Sequence, residues 1–382
     1  MVYSGEEASR DTMDNKVESL SLLDNLGDSE SQDTQQGLSM DPQNSSQDRA
    51  TAKLRKPILD QIKKADLERV ALFSGAQVDP DGIASMYTMA AILESWGHTP
   101  TCFYRGTFSR PQNKIMRQVL GVTPKSDTEF KAEDFTCIIS LDGPSGVCPA
   151  TPDFIIDHHE QGEPAKVASD VRMIGACSSI MWQYAQDADI DFTSEAGQKL
   201  ATALALGIKT DTVDGTADSA TDLDFAALSF CLTHKDNKLY KEILNYSNPT
   251  YYHDLFVMGW HNKTIENSVL VTGIGHIPES RGAALSYLAD MYTKTEGITT
   301  AIVFGLVGGS IDISMRSKNT AINVSEFVQT AFGGGGGKTG AGRVKIPLPL
   351  FENIPEELSD MLFESCFKIV RHKALQIAGD KK

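Results

Sequence analysis

The stretch "DFIIDHHEQG" (153–162) ends an apolar run with an acid and two adjacent histidines. Neighbouring side chains on a strand point to opposite faces, so His158 and His159 cannot both be core residues of one face. Taken alone, Asp157-His158-His159 reads equally as a polar strand end and as part of a metal site. Other carboxylates tilt the reading: Asp79 and Asp81 in "VDPDG", Asp142 closing "CIISLD", and Asp211 in "GIKTDT". Each follows the end of an element. Brought to one edge of a sheet, their like charges would repel unless cations lay between them. Oxygen ligands with one imidazole suit Mn²⁺ or Mg²⁺ rather than a structural zinc, which favours cysteine. The D-x-D spacing puts Asp79 and Asp81 on one face, able to address two ions about 3.5–4 Å apart.

The elements that must position these residues are legible as alternating apolar strands and helices. "RVALFSGAQV" (69–78), "TCFYR" (101–105), "FTCIISLD" (135–142) and "DFIID" (153–157) read as strands, and 82–97, 177–186 and 194–210 as helices. This alternation implies an α/β domain whose parallel sheet is covered on both faces, with ligands beyond the carboxyl ends of its strands. Residues 238–256 read as helix, turn and helix. A second α/β domain follows, with strands at "SVLVTGIG", "TTAIVFGLVG" and "SIDISMRS", the glycine-rich "FGGGGGKTGAGR" (332–343) and a last helix near 356–377. The expected boundaries are a tail over 1–52, a first domain over 53–235, a helical linker over 236–262 and a smaller domain over 263–382.

Charge is unevenly spread. Of the net −16, half lies in residues 1–50, where 11 acids face only Arg10, Lys16 and Arg49. That segment has too few large apolar residues to offset the entropy of ordering, and a disordered acidic tail is expected. An acidic chain without a basic surface is no coat for long duplex DNA and no polybasic membrane binder. No apolar run approaches the ~18 residues of a membrane span, and no secretory leader is read. Six scattered cysteines without a CxxC pair read as reduced core thiols, and the expected location is cytoplasmic.

With these residues in order, "VDPDGIAS", "SLDGPS", "IIDHH" and "GIKTDT", the chain resembles the DHH family of phosphoesterases over roughly residues 60–350. "SMRS" and the glycine run resemble that family's associated C-terminal domain, and the resemblance implies an active cleft between the two domains. It implies two Mn²⁺ ions, with Mg²⁺ as substitute: Asp79 and Asp142 on one, and Asp81, Asp142, His158 and Asp211 on the other. Asp157 would fix a neighbouring imidazole, and His159 would meet the phosphoryl group or assist the leaving group. Arg316, Gly335, Gly336, Gly337 and Lys338 would grip the substrate. The guanidinium can form two parallel bonds to a phosphate, and backbone amides beside a basic side chain can hold one. Ser85, Ser178 and Ser179, near helix starts, read as phosphate donors or simple caps.

Two positions depart from the family. Its first motif has a histidine four residues before the first aspartate, where this chain has Gly75; Gln77 is the substitute in reach. A histidine restored at Gly75 is expected to tighten the first metal site if the backbone has room. The family's glycine loop also carries a histidine where this chain has Gly337, followed by Lys338. "GGGGGKTG" is no nucleotide P-loop, because the first glycine of that motif would fall on Phe332. The expected function is hydrolysis of short oligoribonucleotides, linear or cyclic dinucleotides, or 3′-phosphoadenosine-5′-phosphate; a homodimer is compatible with this. The rival is a catalytically impaired DHH-like protein that binds nucleotides or a protein partner.

Overall fold

In the computed structural model, residues 46–75, 79–106, 108, 110–143, 146–160, 164–349 and 355–379 are described. Most of the expected acidic tail, and Gln77, lie outside them. Helix α1 (Ser46–Lys64) leads into β1 (Val70–Ser74), α2 (Pro80–Ser95), β2 (Thr101–Tyr104), α3 (Pro111–Leu120) and β3 (Lys125–Ser126). Then come β4 (Cys137–Leu141), β5 (Phe154–Asp157), β6 (Ala168–Val171), α4 (Cys177–Asp187), α5 (Glu195–Asp211), α6 (Asp222–His234) and α7 (Asn237–Leu244). The six strands form one parallel sheet in the order β3-β2-β1-β4-β5-β6. The chain builds outward from β1 through β2 and β3, then restarts on the other side with β4. The crevice beyond the ends of β1 and β4 is therefore the switch point, where such sheets bind ligands.

Both faces of this sheet are covered, but only one by helices. Val70, Leu72, Ile139, Leu141, Phe154 and Ile156 pack with α1 to α7 in a single core. The alternate residues Ala71, Phe73 and Ile138 turn the other way, onto Phe103, Phe130, Phe135 and Val147. The connections from β4 to β5 and from β5 to β6 carry no helix among their described residues. A cluster of phenylalanines, with Phe130 and Phe135 stacked at 5.7 Å, takes the place of a second helical layer. Helix α2 starts two residues earlier than its apolar pattern suggests. Asp79 caps it and Pro80 occupies its first turn, a position where the missing N–H is harmless.

A second sheet follows α8 (Tyr251–His261): β7 (Thr264–Glu266), β8 (Val269–Ile277), α9 (Ala283–Thr293), β9 (Thr300–Val307), β10 (Ser310–Ser317), α10 (Val324–Phe332), β11 (Gly336–Lys338), β12 (Ala341–Pro347) and α11 (Glu356–Gly379). Its order is β11-β12-β10-β9-β8-β7, with β8 and β9 parallel and the remaining pairs antiparallel. Alternation along β8 sends Leu270 to the core with α8 and α9, and Val269 and Val271 to the core with α10 and α11. No helix among the described residues is long and apolar enough to cross a membrane.

Candidate metal centre

Asp142 immediately follows β4 and adopts a left-handed backbone, φ 49°. Such a conformation is costly for most residues, though aspartate tolerates it better than most. Neighbours hold it on both sides: its amide donates to the Ile156 carbonyl of β5 at 3.1 Å, and its carbonyl accepts from the Gly75 amide at 3.3 Å. At the end of β5, buried Asp157 accepts the His158 amide (2.7 Å) and pairs with His159 Nδ1 (2.9 Å) through the same oxygen.

Strand β5 ends at Asp157, so the two histidines do not take opposite faces. Their rings lie 4.3 Å apart, inclined at 66°, with His158 Nε2 and His159 Nδ1 at 3.3 and 3.9 Å from the same Asp142 oxygen. His158 Nδ1 lies 3.0 Å from the Ile174 carbonyl. A carbonyl can only accept, so Nδ1 carries a proton, which leaves Nε2 as the nitrogen that a cation would take in place of its proton. That Nε2 faces three acids: Asp211 Oδ2 at 3.2 Å, Asp142 Oδ1 at 3.3 Å and Asp81 Oδ2 at 3.7 Å. Asp211 is the last residue of α5, and Asp81 lies in the first turn of α2. The carboxylate of Asp81 accepts the amides of Cys177 and Ser178, both at 2.7 Å, from the first turn of α4. Those amides carry the partial positive charge of a helix N-terminus.

The electrostatics of this cluster favour added positive charge. Burial, reinforced by Asp211, pushes Asp81 up to about 7. Burial and the charge of Asp81 hold Asp142 well above the usual carboxylate range. Burial opposes a charge on His158, but Asp142, Asp81 and Asp211 outweigh it and push the imidazole up to about 10. Meanwhile Asp142 Oδ1 and His158 Nε2 are buried with no hydrogen-bond partner among the described residues. Two buried ligand atoms without a partner, with Asp81 and Asp211 beside them, suit a hard or borderline divalent cation held by oxygen and imidazole. The donor atoms of Asp81, His158 and Asp211 all lie within 4.8 Å of one another, as do those of Asp142, Asp157, His158 and His159.

The other expected residues are placed differently. Asp79 is half-buried, and one of its oxygens caps α2 by accepting the Asp81 and Gly82 amides at 3.1 Å each. It is near enough for its charge to raise both Asp81 and Asp142. Gly75 is packed against Asp142: a Cβ there would lie 2.6 Å from the Asp142 carbonyl oxygen. Ser85, Ser178 and Ser179 are fully buried, which removes them from the surface a phosphate would meet. In the second sheet, Arg316 donates through Nε to Asp290 Oδ1 (2.7 Å) and through Nη1 to the Met315 carbonyl (3.0 Å). Burial lowers its pKa, Asp290 raises it, and the nearby charges of Arg110 and Arg343 lower it again. The glycine run caps α10 at Gly333 and then pairs as β11 with β12. A Cβ at Gly337 would lie 2.0 Å from the Ala341 carbonyl oxygen. Gly335, Gly336, Gly337 and the Lys338 backbone thus form part of a tight hairpin; the Lys338 side chain lies outside the description.

Residue types could not disclose the Ile174 carbonyl or the Cys177 and Ser178 amides, because backbone groups are common to every residue. The small-residue helix start "GACSS" was the available signal.

No protein-family model matches the chain. The uncharacterised protein MJ1633 of Methanocaldococcus jannaschii is 31% identical over 332 residues, spanning 84% of this chain and 67% of that protein. Among solved structures, an exopolyphosphatase-related protein of Bacteroides fragilis aligns with a TM-score of 0.61 at 15% identity, over 86% of this chain and 97% of that one. This likeness establishes a shared fold. RecJ of Thermus thermophilus in complex with Mn²⁺ aligns less closely, with a TM-score of 0.42 at 13% identity over 85% of this chain and 54% of RecJ.

Proposed function

The chain belongs to the DHH family, and from that premise we propose that it is a divalent-cation-dependent phosphoesterase acting on small phosphate esters. Asp81, Asp142, His158 and Asp211 would hold one Mn²⁺, or Mg²⁺ in its place. Asp79 and Asp142 would contribute to a second, with Asp142 shared. The carrying observation is the convergence of three acids within 3.2–3.7 Å of His158 Nε2. Bound ions would supply a nucleophilic hydroxide at neutral pH and offset charge on the phosphoryl oxygens.

The chain's own groups account for the remaining steps. His159 is partly exposed, its side chain 37% accessible, so it can meet a ligand where His158 cannot. Burial opposes its protonation, but Asp157 more than compensates and raises its pKa. With Nδ1 on Asp157, the proton on Nε2 is available to a phosphoryl oxygen or to the departing oxygen, general acid work at close to neutral pH. Arg316, pre-oriented by Asp290, would grip a far phosphate together with the 335–338 backbone and Lys338. Short oligoribonucleotides, linear or cyclic dinucleotides and 3′-phosphoadenosine-5′-phosphate have that reach; a long duplex does not fit a chain without a basic surface.

The test is turnover of these substrates, with inorganic polyphosphate included, in Mn²⁺, Mg²⁺ and chelator. Cation-dependent hydrolysis of one class is expected, and no hydrolysis of any would sink the reading. A second reading, an impaired nucleotide-binding protein, is favoured by the close approaches at Gly75 and Gly337, which leave no room for the family's two histidines. Nucleotide binding with Mn²⁺ but without turnover would support it.

A further inference from the structure

Asp224 is a carboxylate that touches none of the clustered ligands, yet it is almost wholly buried, 1% exposed, in the first turn of α6. Its two oxygens accept four donors: the Thr221 amide (2.8 Å), Thr221 Oγ1 (2.7 Å), the Gly175 amide (2.9 Å) and Ser179 Oγ (2.5 Å). The first is the side-chain half of the capping box of α6, the second ties the same threonine's hydroxyl to it, and together they explain why an acid stands at the third helical position. The capping of α6 does not require the other two. They reach across 49 and 45 residues of sequence to the two ends of the 175–179 turn.

That turn is what the cluster leans on. Its leading edge presents the Ile174 carbonyl to His158 Nδ1, and its centre presents the Cys177 and Ser178 amides to Asp81. Gly175 also packs against the residue after the fourth ligand: a Cβ there would lie 2.6 Å from Thr212 Cγ2 and 2.8 Å from Asp224 Oδ2. Only a residue without a side chain lets this amide close on Asp224. Hydrogen bonds to an ionised carboxylate are short and roughly twice as strong as neutral ones, so the turn is fixed at both ends by strong ties.

We propose that Asp224 is the positioning residue of the metal centre, holding the 175–179 turn so that His158 and Asp81 face the cation in one geometry. This deepens the function proposed above and rests on it. Outer partners that orient metal ligands typically contribute about 10–100-fold to metal affinity.

The experiment titrates Mn²⁺ into the full chain by calorimetry and reads the His158 Nδ1–H hydrogen bond to the Ile174 carbonyl by NMR in the cation-free protein, from the shift and exchange rate of that proton. Asp224→Ala should stay folded by circular dichroism and lose about 10–100-fold in Mn²⁺ affinity. Asp224→Asn, which keeps an oxygen for the Gly175 and Thr221 amides, should recover most of it. Ser179→Ala cuts one tie without touching the helix cap and should weaken binding on its own, so it decides the matter if Asp224→Ala does not fold. Asp236→Ala removes the N-cap of α7 and serves as the stability control; it should lower the melting temperature at unchanged affinity. Wild-type affinity and a wild-type Nδ1–H signal in folded Asp224→Ala or Ser179→Ala would overturn the proposal, as would an equal loss in Asp236→Ala. If wild type itself binds no Mn²⁺, the function proposed above fails. The hydrogen bond then decides here: a His158 Nδ1–H shift and exchange rate unmoved by Ser179→Ala would overturn the positioning role.

Discussion

The carbonyl oxygen of Asp142 lies where a Gly75 side chain would begin, 2.6 Å from the position of its Cβ. The Gly75 amide meanwhile donates to that same oxygen. Any side chain at Gly75 must push the Asp142 backbone, and with it the carboxylate that faces His158. The expectation that a restored histidine would tighten the first site is thereby reversed. Gly75→Ala and Gly75→His should both destabilise the protein by about 1–3 kcal/mol through overpacking. Both should weaken Mn²⁺ binding about tenfold or more, as loss of ligand orientation does. Calorimetric titration checks this; tighter binding in Gly75→His would show that the backbone yields.

Asp142→Asn should separate charge from shape. Asparagine tolerates the left-handed backbone at φ 49° as aspartate does, so the melting temperature of the cation-free protein should hold or rise. A rise is reasonable because one repelling charge is removed from a buried cluster. Cation affinity should fall by more than about a hundredfold, beyond what outer partners cost. Unchanged Mn²⁺ binding in the folded variant would remove Asp142 from the ligand set.

Proton linkage gives a prediction with a definite sign. Asp81 holds its proton up to about 7 against a usual 3.8, and His158 up to about 10 against 6.5. Both native values lie above the unfolded ones, so the cation-free native state binds more protons and loses stability as pH rises. The window runs from about 4 to 7 for Asp81 and from about 6.5 to 10 for His158. Cation binding requires both groups deprotonated and should strengthen with pH. Thermal melts near pH 5.5, 7 and 8.5 should therefore show a gain from Mn²⁺ that widens with pH. A gain independent of pH would contradict the assignment.

His159 and His158 should fail in different ways. His159→Ala should leave Mn²⁺ affinity within about twofold while lowering kcat by 10²–10⁴, the usual contribution of general acid work. Asp157→Asn removes the charge that sustains the His159 proton, so the acidic side of the optimum should be less affected than the basic side. His158→Ala should abolish cation binding. Loss of cation affinity in His159→Ala would make it a ligand instead of a proton donor.

The composition and order of the acids told a great deal unaided. That Asp79, Asp81, Asp142, Asp157 and Asp211 could meet with the histidines at one sheet edge was legible because alternating strands and helices bring such element ends together. The grouping of Asp81, Asp142, His158 and Asp211 as one ligand set came from the family resemblance. Strand alternation would have sent His158 and His159 to opposite faces, but β5 stops at Asp157 and both rings turn toward Asp142. Tertiary structure decided what depends on contacts between distant backbones. It turned Asp79 into the cap of α2, closed the space at Gly75 with a carbonyl from the neighbouring strand, and folded the glycine run into a hairpin against β12. It also brought the Ile174 carbonyl to His158 and Asp224 to the turn behind both. Side-chain types are written in the sequence, whereas the room around a glycine and the direction of a carbonyl depend on which strands lie side by side.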